Sequence, residues 1–344
     1  MNGFEELVRM LLDLLFTPQL FVPLVYPGFI AATVVLLIII WLERKISGKV
    51  QLRYGPLYVL KPLGGVIQLL ADGLKFFFAE LILPEKVDKI AFVMSPLLLF
   101  LFSFLPLVAI PVSPQFMAID SDLSLLIIAA LMTIAPLFVL VLGWASNNKF
   151  AFIGGLREGY LIISYEVPTF LSILSIAILY GSLDLVEIIG RQSNAAWALI
   201  LNPVAALTFL VTTFLSTSRF PFEIAEADTE IVMGPYTEYS GLLYTLVLGS
   251  SYLKLYVLSL LFAILFLGGW NPIVWPLTLH STFPGFVVFV KGFIIMVFSV
   301  FLRAVYPRYR VDQAIRIGWH VLFVLSLASL VLSIGLIGLG VVGE

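Results

Sequence analysis

A chain of 344 residues that is 61% hydrophobic and 12% charged, with a mean hydropathy of +1.10, reads as an integral membrane protein rather than a soluble domain with a large core. Cysteine is absent and there are only two histidines, which excludes iron–sulfur clusters, thiolate zinc sites and Cys-x-x-Cys redox pairs. A net charge of -2 selects no partner class, and nothing in the composition points to nucleic acid.

The N-terminal acids Glu5, Glu6 and Asp13 leave no basic region before the first apolar run, so that run does not read as a cleaved signal peptide. A spanning helix needs about 20 apolar residues. Eight such segments are predicted, at approximately 21–42, 91–112, 123–145, 160–180, 197–217, 240–267, 285–305 and 318–341. The expected architecture is an all-α, polytopic membrane protein forming one domain over 1–344, with no solenoid-like internal repeat. His280 falls in a connecting loop and His320 near a helix start, which argues against bis-histidine haem ligation in the bilayer. No metal or redox cofactor is therefore expected on this chain.

Lysine and arginine are distributed very unevenly. Fifteen, from Arg44 to Arg316, fall on the odd-to-even loops, against Arg9 and Arg191 on the other side. The positive-inside rule then puts those loops inside and both termini outside. The long, chemically rich loops share the inner side, where function is expected.

The first inner loop runs from Glu43-Arg44-Lys45 through Gln51-Leu52-Arg53-Tyr54-Gly55-Pro56, whose last two residues signal a turn. Between Val66 and Phe78, Gln68, Asp72 and Lys75 recur at i, i+4 and i+7 and share one face of a predicted interfacial amphipathic helix. That stripe faces either water or an enclosed polar cavity. In the fourth segment, Ser164-Tyr165-Glu166-Val167-Pro168 follows Arg157 and places Glu166 about 10–13 Å deep. A carboxylate there is either a structural hydrogen-bond acceptor or part of an ion path.

The loop before segment six carries Glu223, Glu226, Asp228, Glu230 and Glu238. If the run is helical, Glu223, Glu226 and Glu230 share a face. They then either titrate as a coupled set or are neutralised by Arg219 and by the Arg303–Arg316 region, which includes Arg308 and Arg310 beside Asp312. Lys254 lies near the centre of segment six, too deep to snorkel, and must find a carboxylate, a water chain or a neutral state; Lys291 is nearer the outer end, where snorkelling is open to it.

Taken together these motifs resemble the eight-helix quinone-chamber subunit (subunit 1/H type) of respiratory complex I and related proton-pumping oxidoreductases, over nearly the whole chain. The resemblance rests on Glu43-Arg44-Lys45 through Gly55-Pro56, Gln68-x-x-x-Asp72-x-x-Lys75, Arg157 with Ser164–Pro168, Arg219-x-Pro221-Phe222 through Thr237-Glu238-Tyr239-Ser240-Gly241, and Pro307-Arg308-Tyr309-Arg310-Val311-Asp312-Gln313. It implies a membrane subunit that binds quinone as substrate and starts the proton route coupling quinone reduction to pumping. Arg53, Gly55, Pro56, Asp72, Lys75 and Phe222 would serve the quinone. Glu43, Glu166, Glu223, Glu226, Asp228, Glu230, Glu238 and Lys254 would form the proton path. Arg157, Arg219, Arg308, Arg310 and Asp312 would act as structural charge partners.

The partners implied are peripheral-arm iron–sulfur subunits on the inner loops, small and antiporter-like membrane subunits alongside, and lipid. The location implied is a prokaryotic plasma membrane, with thylakoid and mitochondrial inner membranes as alternatives. The sequence departs from the family at Pro221-Phe222-Glu223, where an aspartate is usual, at Ser251 in place of a glutamate, at Leu161 in place of a glutamine and at Ala79 in place of a lysine. Two other readings are the membrane anchor of an energy-converting hydrogenase and a stand-alone ion transporter. The complete Gln51–Pro56 and Thr237–Gly241 motifs favour the quinone branch.

Overall fold

The structure is a computed structural model that describes residues 16–219, 221–272 and 282–340. The N-terminal acids, Arg9 and His280 lie outside the described residues, as does the Asp228 side chain. The described chain is helical, its only bridge pairing Ser113 with Phe116. In order the helices are α1 (Pro18–Leu24), α2 (Phe29–Val50), α3 (Gln68–Phe78), α4 (Lys89–Phe104), α5 (Ser124–Ile134), α6 (Leu137–Ala145), α7 (Lys149–Tyr180), α8 (Leu185–Asn194), α9 (Ala198–Leu201), α10 (Pro203–Ser216), α11 (Asp228–Ile231), α12 (Gly241–Phe266), α13 (Phe283–Val305), α14 (Val311–Arg316) and α15 (Phe323–Gly338).

Among the described residues seven stretches are long and apolar enough to cross a membrane: Pro18–Val50, Lys89–Ala109, Ser124–Ala145, Lys149–Tyr180, Gly241–Phe266, Phe283–Val305 and Val311–Gly338. The eighth expected span, 197–217, is divided. Asn202 ends α9 and caps α10 by accepting from Ala205 N at 3.0 Å, while Pro203 takes the first helical position, where its missing N–H costs nothing. α10 is 14 residues long as a result. The third expected span is likewise two helices, parted at Ala135-Pro136.

Two boundary differences matter for function. α2 continues to Val50, so Glu43-Arg44-Lys45 stand on a helix and not in a loop. α7 begins at Lys149, with Asn148 accepting from Phe150 N at 2.9 Å as its cap. Arg157, Glu158 and Glu166 are therefore all interior to one 32-residue helix, and Glu166 is not near a helix start.

α12 is the buried centre, with 83% of its apolar window inside the protein. It packs against α4 and α13, and α7 packs against α6, α10 and α15. Small polar residues bind the helices together: Asn202 Nδ2 donates to Ser329 O and Ser333 Oγ at 2.8 and 2.9 Å, and the Ser172 and Thr208 hydroxyls meet at 2.7 Å. Between Arg316 and α15 the turn is π-type over Ile317–Leu322, a local widening inside an otherwise continuous span.

The C-terminal end of α2, the N-terminal ends of α7 and α12 and the loop after α10 gather at one end of the bundle, called here the basic end. The opposite end carries α8, an amphipathic helix not expected from hydropathy. Asp184 caps it by accepting from Val186 N and Glu187 N. Lys291 does not reach for solvent: its ammonium donates to the carbonyls of Leu267, Gly269 and Asn271, closing the C-terminal end of α12.

Candidate functional site

The site begins with Glu43 on the last third of α2. It is 6% exposed, and its carboxylate collects three donors. Arg219 Nη1 donates to Oε1 at 2.9 Å, Arg303 Nη1 donates to the same oxygen, and Tyr252 Oη donates to Oε2 at 2.6 Å. The Arg219 guanidinium also lies over the Tyr252 ring, 3.9 Å from its centre. Arg303 uses its other nitrogen on Glu223 at 3.3 Å, so one arginine joins the acid on α2 to the acid in the loop after α10. Such partners offset the cost of burying the Glu43 carboxyl group.

This network forms part of the wall of a cavity of about 600 Å³, together with Arg44, Gln51 and Arg53. Arg53 Nε donates to Gln51 Oε1 at 2.6 Å. Gly55 and Pro56 hold the loop rather than line the space. A Cβ on Gly55 would stand 3.0 Å from Arg44 O and 3.1 Å from Lys45 Cα, so a larger residue would push this turn a few tenths of an ångström off α2.

Asp72 reaches the cavity through Arg44, which donates to it at 2.6 Å, and Gln68 donates to its other oxygen at 3.0 Å. Partial burial pulls the Asp72 pKa up, but the hydrogen bonds from Arg44 and Gln68 and the charges of Arg44 and Lys75 outweigh it, leaving it below the ordinary value. Lys75 is exposed on α3. Phe222 is 4% exposed and tilted against Tyr309 with ring centres 5.5 Å apart, in a core cluster separate from the cavity.

The acids after α10 do not share a helical face. The chain from Pro221 to Ala227 is not helical; Phe222, Ile224, Ala225 and Ala227 are buried at 4%, 2%, 1% and 1%, while Glu223 and Glu226 keep part of their surface exposed. Glu223 turns to Arg303. Glu226 borders a small cavity with Tyr236, Glu158 and Lys254. Glu230, on α11, accepts from Arg157 and Arg308 at 2.6 and 2.8 Å. Those arginines hold its carboxyl below the usual glutamate range, the Arg157 hydrogen bond first.

Glu238 accepts from Asn148 Nδ2 at 2.6 Å and so steadies the cap of α7. Arg310 and Asp312 border a space of about 210 Å³ with Arg157, Glu230 and Arg308, on the surface of the basic end. The Tyr236 phenol is pushed up by burial, then by the charges of Glu226 and Glu158 and by Tyr244, so it remains a hydroxyl donor.

Glu158 is the residue that sequence reading passed over. It is 4% exposed, accepts from Tyr165 Oη at 3.1 Å and from Ser218 Oγ at 3.5 Å, and interacts electrostatically with Lys254. A helix begun at 160 hides it in a flank. With the Asn148 cap recognised, Glu158 and Tyr165 stand seven apart on one face of α7. Lys254, 7% exposed, sits over the Tyr165 ring at 5.1 Å, within electrostatic reach of both Glu158 and Glu166. Ser250 and Ser251 spend their hydroxyls on the carbonyls of Val247 and Leu248 in their own helix.

A protein-family model described as NADH dehydrogenase matches residues 24–334. The chain belongs to this family. Within it the chain is of the complex I subunit 1/H type, a multi-pass membrane subunit of a multisubunit oxidoreductase. The match takes in every site residue described above, from Glu43 to Asp312.

Proposed function

We propose that this subunit forms the quinone chamber of a proton-translocating complex I-like oxidoreductase and carries the first part of the route that couples quinone reduction to pumping. The observation that carries this reading is the cavity of about 600 Å³ whose wall includes Glu43 and Arg303 and which is thereby continuous with Glu223. That volume falls within the range of about 300–1,000 Å³ common for small-molecule sites. Its donors suit a quinone: Arg44 and Arg53 carry guanidinium N–H groups beyond those used on Asp72 and Gln51, enough for two carbonyl oxygens.

Reduction of a quinone to quinol takes two electrons and two protons, and the electrons come from the iron–sulfur subunits of the peripheral arm. Negative charge on the headgroup competes with Glu43 and Glu223 for Arg303, and loosening either carboxylate changes its proton affinity. The displaced charge then passes along Glu223, Glu226 and Asp228 towards Lys254 and Glu166. Asp72 orients Arg44 at the cavity edge, with Lys75, Gly55 and Pro56 shaping the approach. The Arg157, Glu230, Arg308, Arg310 and Asp312 cluster faces the docked peripheral arm, and Glu238 holds the α7 cap beneath it. The basic end faces the inside of a prokaryotic plasma membrane, with small and antiporter-like subunits beside the bundle.

The test is quinone reductase activity of the intact complex carrying Glu223→Gln or Asp72→Asn. Both lower it, Glu223→Gln the more because Glu223 lies on the charge route, whereas Asp72 acts through Arg44. Wild-type rates in both variants would remove these roles.

A further inference from the structure

Two small cavities meet at Lys254, the first with a mixed polar and apolar lining and the second mainly apolar, with Glu166, Thr169 and Ser216 among its polar groups. One, of about 40 Å³, lies on the side of the basic end and is bordered by Glu158, Ser218, Glu226 and Tyr236. The other, of about 30 Å³, lies deeper and is bordered by Tyr165, Glu166 and Thr169. Lys254 and Ser216 belong to both. A space needs only about 10–15 Å³ to hold a water that has polar partners, so each cavity has room for at least one.

The Lys254 ammonium nitrogen is buried and makes no hydrogen bond among the described residues. A buried ammonium without a hydrogen bond is strongly penalised, and here the groups able to relieve it are water in these two spaces and the carboxylates at their far walls. The Glu158 carboxylate is fixed in turn by the Tyr165 hydroxyl at 3.1 Å and the Ser218 hydroxyl at 3.5 Å. Tyr165 thus serves both members: its hydroxyl holds Glu158, and its ring face lies 5.1 Å from the Lys254 nitrogen.

We propose that Glu158 and Lys254 form a buried two-residue proton relay that joins the loop acid Glu226 to the membrane acid Glu166. This rests on the function proposed above and adds Glu158, which that reading does not use. In one cycle protonated Glu158 gives its proton, through water in the first cavity, to the neutral Lys254 amine. The ammonium passes a proton through the second cavity to the Glu166 carboxylate and returns to the amine. Glu158, now a carboxylate, is reloaded from the Glu226 side. Each hop breaks one O–H or N–H bond and makes one at the acceptor, and no electron moves. Lys254 borders both cavities, with Glu158 on the wall of the first and Glu166 on the wall of the second, which makes the route directional in space.

The experiment uses the intact complex in proteoliposomes, reading quinone reductase rate and protons translocated per electron pair, with infrared difference spectra on reduction. Glu158→Gln keeps an acceptor for Tyr165 but carries no titratable proton. Coupled turnover is expected to fall about tenfold or more, since a positioned proton donor contributes on the order of 10²-fold and other steps share control. A carboxyl band disappears from the infrared spectrum, and Glu158→Asp restores part of the rate. Because the residues act in series, the Glu158→Gln/Lys254→Met double variant is no slower than the slower single one.

A merely structural Glu158 would leave the infrared band in place and the variant losses additive. Wild-type rate and stoichiometry in Glu158→Gln, in a complex that reduces quinone and pumps, overturn the relay alone. An unmodified complex that reduces no quinone overturns the reading on which it rests. If Glu158→Gln lowers assembly on a native gel, Lys254→Met carries the same measurement, and a wild-type rate and stoichiometry there overturn the relay equally.

Discussion

Glu43 and Glu187 are both glutamates held by arginine, at opposite ends of the same bundle, and they differ in what surrounds them. Glu43 and its partner Arg219 keep 8% and 7% of their side-chain surface exposed, and the same carboxylate also takes Arg303 and Tyr252. Glu187 and Arg191 keep 48% and 45%, are neighbours four residues apart on α8, and are bathed in solvent. Water screens the second pair almost completely, whereas the first acts through a medium where charges a few ångströms apart are felt several times more strongly. Only the buried pair can turn a charge in an adjacent cavity into a change elsewhere.

The largest break of this contrast is Glu43→Ala. It leaves Arg219 buried with its partner gone, which typically costs about 3–5 kcal/mol. Thermal unfolding of the purified complex should show a pronounced loss, accompanied by loss of quinone reductase activity. A variant as stable as wild type would mean that the buried network is dispensable and that the two ends do not differ in kind.

Packing offers the next comparison, through two glycines. A Cβ on Gly154 of α7 would come within 2.7 Å of Gly234 Cα and 2.6 Å of Pro235 Cδ, the turn that carries Tyr236. Gly154→Ala therefore pushes that turn off α7 and is expected to destabilise by about 1–3 kcal/mol, with a drop in coupled activity. Gly190 of α8 has nothing within 4 Å of the same position. Gly190→Ala gains helix propensity and is expected to stabilise by about 0.5–1 kcal/mol without touching activity. Equal effects from the two would mean that the close approach at Gly154 does not fix the turn that carries Tyr236.

Seven of the eight expected spans were legible because hydropathy reports burial in lipid; the eighth, 197–217, is divided at Asn202-Pro203, which a hydropathy window averages over. Their ends were not, because charged residues end a hydropathy run without ending a helix. Glu43 and Glu158 both sit on helices that continue past the apolar window, and so one was assigned to a loop and the other missed. The caps were readable: Asn148 before α7, and Asp184 with Glu187 three residues on, before α8. In the acidic run the spacing of the glutamates mimicked a helix that the chain does not form between Pro221 and Ala227. Pairings such as Lys291 with the carbonyls of Leu267, Gly269 and Asn271 come from chain folding over distance and leave no local pattern.

The smallest effect separates the ends by salt and pH. Glu187→Gln removes an exposed partner of Arg191, worth about 0.3–0.5 kcal/mol for a helical pair at this spacing. In the folded protein hydrogen bonds from Ser182 and then Arg191, with the charge of Arg191, hold the Glu187 carboxyl below its ordinary value. The folded state therefore binds this proton less readily than the unfolded state. Its contribution is complete above the unfolded pKa of about 4.3 and is lost as pH falls through the lowered folded value. Hydrogen exchange across α8 should show a small protection difference between wild type and variant at neutral pH. That difference should vanish in acid, and also in about 1 M salt, where screening reaches only about 3 Å. A difference that survived high salt would place Glu187 in the same class as Glu43, and burial would no longer be what distinguishes a carboxylate that transmits charge from one that only decorates a helix.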